Sequence, residues 1–369
     1  MQRSDERALV AASKPELRLL DTPDTNAETP AHCLDDDITP LHRLFVRSTG
    51  RVPDLSEADV ARWTLTVDGF VRTPRSFTLD ELKERFETVT QAVVMECAGN
   101  GRAYFTEKTG SAIWFRGAVG CARWTGVRLA DVLRACDVLP EAVYTAHHSP
   151  DRAIDGDGPA LSRGVPIAKA LAPETMIAFA INGEPLPLLH GGPLRIVTPG
   201  YPGAAWQKWL NRIELRDREH DGPKMTGVWY RMPRVPMKPG EPVDESLMDV
   251  ITDMPVRSLI TVPADGFIAS VGKPLTVRGH AWGGHTPVAS VEVSFDGGST
   301  WTGAALEPAE DRFAWRRFTA ALDKPMAGAI EIVARAMDAQ GSTQPLDSVP
   351  WNPQGYCNNV AHRVRGVLR

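Results

Sequence analysis

The sequence predicts an α+β chain whose first two-thirds mix strands with short capped helices and whose last third is a β-sandwich of immunoglobulin type. Three observations carry this expectation. At 369 residues the chain exceeds what one hydrophobic core organises, so two domains are the default. A proline-rich stretch with six prolines, GPKMTGVWYRMPRVPMKPGEPVDESLMDVITDMPV, interrupts it at about 222–255. Beyond that connector the pattern is all-β: VASVEVSF alternates Val291, Val293 and Phe295 with polar residues, and AIEIVARAMDAQG places Ile330, Ile332, Ala334 and Ala336 on one face. The expected division is an extended N-terminal arm over 1–40, a mixed domain over 41–250 and the sandwich over 251–369.

Taken in order, residues 1–60 are acidic and punctuated by proline, with no periodicity long enough for a helix. TLTVDGFV alternates and reads as a hairpin turning at Asp68-Gly69. Thr78 and Glu81 form a capping box ahead of a helical stripe of Leu79, Leu82 and Phe86. A β-rich run holding Val89, Val93, Val94 and Met95 then leads into Cys97. TGVRLADVLRACDV reads as a helix with Leu129, Val132, Leu133 and Cys136 on its apolar face. TMIAFAINGEPLP is a strand with an Asn-Gly hairpin turn, and LLHGGPLRIVTPGYPGAAWQKWLNRIELRD has strand-like ends around a Gly/Pro-rich middle.

Composition narrows the function. The net charge of −5 argues against nucleic acid as the main partner, and no stretch reaches the length of a membrane span. The N-terminus is charged and lacks the apolar core of a secretory signal, which leaves open both a cytoplasmic chain and a mature exported one. The five cysteines form no CxxC pair and no CxxCH haem site, and an odd number leaves at least one thiol free or metal-bound.

Cys97 ends its strand at the turn Ala98-Gly99-Asn100-Gly101, followed by Arg102. A thiol so placed fits a metal ligand, a nucleophile or an inert core residue. The glycines and the arginine favour a thiolate beside an anionic ligand, because backbone amides approach closely where there is no Cβ. His190 and Arg195 flank a Gly-Gly-Pro turn, and Lys208 follows another Gly/Pro loop, a set suited to a phosphate. Arg47, with Arg51 after it, adds positive charge for a small dianion. His147-His148 and the pair His280 and His285 lack a third neighbouring ligand and read as packed or surface histidines.

FVR, CAGNGR, ARWTGVRLADVL, NGEPLP…HGGPLRIVTPG and WNPQGYCNN stand in the order found in the sulfite oxidase family of molybdenum enzymes, which the chain resembles over roughly 40–365. The resemblance implies a mixed molybdopterin-binding domain followed by an immunoglobulin-like dimerisation domain. It implies molybdenum and molybdopterin as cofactors, oxidation of sulfite to sulfate and a homodimer. Without a haem module in the chain, it implies a sulfite dehydrogenase delivering single electrons to a soluble c-type cytochrome, with the periplasm as the expected compartment. By the same resemblance Cys97 ligates the metal, Arg47 and Arg102 line the sulfite pocket, and Tyr230 is the nearest counterpart of a pocket tyrosine. His190, Arg195 and Lys208 resemble the residues that hold the pterin, with Phe45, Thr49, Trp206 and Gln207 beside them. Asp155, or Asp157 near it, matches a pterin-binding aspartate, while Trp114 and Trp124 read as packing residues. Thr49 stands where the vertebrate enzymes have histidine, and Gln354 where they send an arginine into the pocket and nitrate reductases have methionine.

Overall fold

The computed structural model describes residues 3–107, 109–110 and 112–369. Alternation in the middle of the chain produces a sheet in which Thr88–Glu96 pairs with Val119–Arg128, which pairs in turn with Met176–Ile181. Met176–Ile181 also carries Glu184–Pro185 and Arg195–Val197. A second sheet runs in the order Arg75–Thr78, Thr64–Gly69, Arg212–Arg216, Tyr144–His148. Its one parallel pairing, between Thr64–Gly69 and Arg212–Arg216, closes the domain on itself over a long sequence separation. One core fills it, with Leu65, Phe77, Trp124, Val127, Leu129 and Ile213 fully buried.

The last third forms two facing sheets. One has the order Arg257–Val262, Leu275–Trp282, Arg316–Leu322, Ala305–Leu306, and the other Phe267–Ala269, His362–Leu368, Gly328–Asp338, Val288–Ser294, Thr302–Gly303. Val277, Val293, Phe318, Ile332 and Ala334 interlock between them as the sandwich core. No helix among the described residues is long and apolar enough to cross a membrane.

Several local expectations are met for the reasons given. Thr78 Oγ1 accepts the Glu81 N–H at 3.2 Å while the Glu81 carboxylate accepts the Thr78 N–H at 2.8 Å, and the helix Leu79–Arg85 follows. Asn182 and Gly183 take φ of 51° and 83° between the directly paired Ile181 and Glu184, the two-residue turn that matches strand twist. Other local expectations are corrected. The segment before Leu129 is strand, not helix: Thr125 and Val127 are β-branched and pair with Thr90 and Thr88, so the helix shrinks to Leu129–Arg134. Asp68-Gly69 is not a tight hairpin turn, because the pairing with Arg75–Thr78 ends at Val67↔Arg75 and Gly69 continues along Leu215 of the parallel neighbour.

The arm is not wholly extended either. Arg3–Ser13 is a helix, built from good helix formers that precede the first proline. Its single fully buried apolar side chain, Val10, left no stripe to read. Buried Glu6 anchors it by accepting the Thr25 hydroxyl at 2.7 Å and the Val52 N–H at 2.8 Å. Further on, Asp35 and Asp37 fasten the arm to the sandwich through Arg278 at 2.5 Å and Arg317 at 2.8 Å.

Candidate molybdenum site

Cys97 sits where the sheet of the first domain ends. Its N–H donates to Ala118 O at 2.9 Å, which fixes the backbone, and the turn beyond it runs through Gly101 at φ of 86°, open only to a residue without a Cβ. The thiol lines a cavity of about 660 Å³ of empty space, open to solvent at its mouth. Arg47, Thr49, Phe45, Tyr230, His190, Arg195, Trp206, Gln207 and Lys208 line it as well. Residues far apart in sequence thus meet at one place.

One wall is basic. His190 ends the turn Leu188–His190, and Gly191 follows at φ of 100°, where a Cβ would lie 2.7 Å from the Lys208 side chain. Arg195 Nη1 donates to His190 O at 2.8 Å, and its guanidinium rests 5.4 Å from the Trp124 ring and 5.9 Å from that of Trp206. Lys208 Nζ donates to Ser48 Oγ at 2.9 Å and lies 4.1 Å over Trp209. Burial pushes Arg195 down to about 9 and Lys208, with Arg195 adding to the effect, down to about 7; His190 is driven well below its ordinary value. His190 Nε2 and Arg195 Nε are buried without a hydrogen-bond partner.

Buried cations held this way are costly unless a negative group faces them. Charge-assisted bonds to an anion offset that cost. A phosphate-bearing pterin therefore fits the donor set of this wall, and a soft metal fits the thiol opposite.

Arg47 stands on the thiol side. Its Nη1 donates to Asp24 Oδ2 at 3.0 Å and Asn26 Oδ1 at 3.2 Å. Burial works against its charge, but neighbouring Tyr230, Asp24 and Cys97 outweigh burial and hold its pKa above the ordinary arginine value. Tyr230, at φ of 54°, stacks on Tyr356 with ring centroids 5.2 Å apart and planes 11° from parallel.

Two expected residues are elsewhere. Asp155 is exposed, and Asp157 is exposed too and pairs with Arg152 at 3.6 Å. The aspartate that lines the cavity is Asp151, whose pKa burial raises. It lies three residues past the strand Tyr144–His148, whereas the Gly-rich stretch after it loops into solvent. Arg102 is buried and is not among the residues that line the cavity. Its Nε donates to Gln354 O at 2.9 Å and its Nη1 to Ala112 O at 2.5 Å, and Tyr356 faces its guanidinium at 5.5 Å. Gln354 therefore meets Arg102 through its backbone carbonyl.

Trp114 and Trp124 are fully buried packing residues. His147 bonds Thr145 at 2.9 Å, His280 stacks on Trp315 at 4.2 Å, and His285 pairs with Asp253 at 3.0 Å. Asp151, Asp24 and Tyr356 are the site neighbours that the sequence reading missed. The position of Asp151 three residues past a strand was the one local signal available.

Residues 49–224 match the oxidoreductase molybdopterin binding domain family, and residues 248–367 match the Mo-co oxidoreductase dimerisation domain family. Mitochondrial sulfite oxidase of Homo sapiens is 35% identical across 99% of this chain and 68% of its own length. The chain belongs to the sulfite oxidase family. Nitrate reductase [NAD(P)H] of Hordeum vulgare is 33% identical over 89% of this chain and 39% of its own length. The crystal structure of the sulfane dehydrogenase SoxCD from Paracoccus pantotrophus matches with a TM-score of 0.78 and 26% identity, covering 95% of this chain and 87% of that one. As a sulfite oxidase family protein the chain is a molybdenum oxidoreductase that uses molybdopterin, with a molybdopterin-binding domain followed by a dimerisation domain.

Proposed function

We propose that the protein oxidises sulfite to sulfate as a sulfite dehydrogenase, working as a homodimer. The observation that carries this reading is the cavity itself, where a strand-end thiol and an ion-paired arginine share the lining with buried His190 and Arg195 and half-buried Lys208. His190, Arg195 and Lys208 would hold the pterin phosphate, Trp206 and Gln207 would flank it, and Cys97 would ligate the metal. Molybdenum bound there supplies the two-electron chemistry that oxidises sulfur. The chain's own work is positional and electrostatic.

Arg47 is clamped between Asp24 and Asn26, so its guanidinium offers a fixed positive field to a small anion without a search for geometry. Tyr230, held by the Tyr356 stack, closes the pocket beside it. Electrons leave one at a time to an external acceptor such as a c-type cytochrome, and the periplasm is the compartment that suits such an acceptor.

A second reading is oxidation of another sulfur compound. The likeness to SoxCD favours it, and so does Gln354, an uncharged residue where the vertebrate enzymes have arginine. Nitrate reduction is the remaining option on this scaffold. Steady-state assays separate the three. Sulfite with ferricyanide or cytochrome c should turn over fast, while thiosulfate with the same acceptors and nitrate with reduced viologen should not. Turnover of nitrate alone, or of thiosulfate in preference to sulfite, would overturn the assignment.

A further inference from the structure

Glu96, the residue before Cys97, is 2% exposed, and its carboxylate gathers partners from both domains. Its Oε1 lies 2.8 Å from Arg257 Nε, an ion pair with both side chains 3% exposed, and accepts Asn100 Nδ2 at 2.8 Å. Its Oε2 accepts the Trp282 indole N–H at 2.9 Å. Arg257 Nη2 also donates to Asn100 O at 3.0 Å, and the Cys357 N–H donates to Ala98 O at 2.8 Å. A Cβ on Gly101 would come within 2.5 Å of Asn358 O. Residues beyond 250 therefore grip the turn on both sides of its middle.

The grip is built into the sandwich. Arg257 opens one strand and Trp282 closes its neighbour, and the two are direct cross-strand partners. Directly opposed residues project from the same face of a sheet, so one register delivers the Arg257 charge and the Trp282 N–H to one carboxylate. A buried ion pair between domains adds little net stability over apolar packing, but the directional bonds that Trp282 and Asn100 donate to the same carboxylate suit the cluster to fixing geometry.

We propose that Glu96 is a positioning residue for the Cys97 thiolate and that the dimerisation domain, through Arg257 and Trp282, sets the direction in which that thiolate points. This rests on the reading of Cys97 as the metal ligand. Held rigidly, the sulfur meets the metal at one angle; released, the turn loosens and the thiol becomes more accessible.

The test compares Glu96→Gln and Trp282→Phe with Glu174→Gln, which breaks the ion pair at 2.7 Å between Lys169 and Glu174, outside the Cys97 turn. In cofactor-free protein, iodoacetamide labelling of Cys97 at one fixed pH, followed by peptide mass spectrometry, should run several-fold faster in the first two variants and at the wild-type rate in the third. In molybdenum-loaded protein, the first two should show an altered Mo(V) electron paramagnetic resonance spectrum and a lower kcat at nearly unchanged KM. Should Glu96→Gln fail to fold, Trp282→Phe carries the test, since it removes the indole N–H while keeping an aromatic ring in the core beside Trp315. Wild-type labelling rates and spectra in folded Glu96→Gln and Trp282→Phe would overturn the proposal. A wild-type protein that binds no molybdenum would instead sink the ligand reading, and the labelling result would still stand.

Discussion

Asp151 and Asp155 lie on one loop, and only Asp151 reaches the cavity. Asp151→Asn should lower cofactor content after reconstitution, whereas Asp155→Asn should match wild type; equal content in both variants would remove Asp151 from the site. Arg47→Gln should raise the KM for sulfite by roughly 10- to 150-fold, since a hydrogen bond to a charged group is worth about 1.5–3 kcal/mol. A KM within twofold of wild type would contradict that role. Cys97, His190, Arg195 and Lys208 could be picked out as neighbours of one cavity because glycines and prolines beside them shape the backbone closely. Arg102 does not line the cavity in this structure, because the carbonyls of Gln354 and Ala112 that accept from its Nε and Nη1 lie in other segments. Tyr356 was missed for the same reason: its stack on Tyr230 joins two domains.

Elements were readable where the signal is local. The Thr78 capping box and the Asn182-Gly183 turn need only adjacent residues, and both formed. Thr78→Ala should cost about 1 kcal/mol of stability, measured by chemical denaturation, because the Glu81 N–H loses its acceptor. No change in midpoint would mean the helix Leu79–Arg85 is held by packing alone. Val119–Arg128 resisted reading because ladder partners on both sides, Thr88–Glu96 and Met176–Ile181, decide its state and not its own sequence. The N-terminal helix resisted for the opposite reason, being too short and too polar to show a face.

At the scale of the molecule, burial holds His147 at about 3 and His220 and His280 at about 4, all below the ordinary 6.5. Each is neutral when folded, while the unfolded chain takes up protons below its ordinary histidine pKa. Their contribution is therefore fully present above about pH 6.5 and is lost as pH falls from there toward 4. Each group contributes up to about 1.4 kcal/mol per pH unit across that window. Chemical denaturation should show a clear loss of stability between pH 7 and pH 5, and equal stability at both would contradict the burial of these rings. The split into a mixed first domain and a sandwich was visible in the proline-rich connector, but not the arm's attachment to the sandwich through Asp35 and Asp37. The central claim is that molybdenum sits on Cys97 inside this cavity and oxidises sulfite there. The most direct measurement is molybdenum content together with sulfite-dependent cytochrome c reduction, in wild type and in Cys97→Ser. Wild type should bind about one molybdenum per chain and turn over, while the serine variant should stay folded and lose turnover. A serine variant that oxidises sulfite at the wild-type rate would contradict the account.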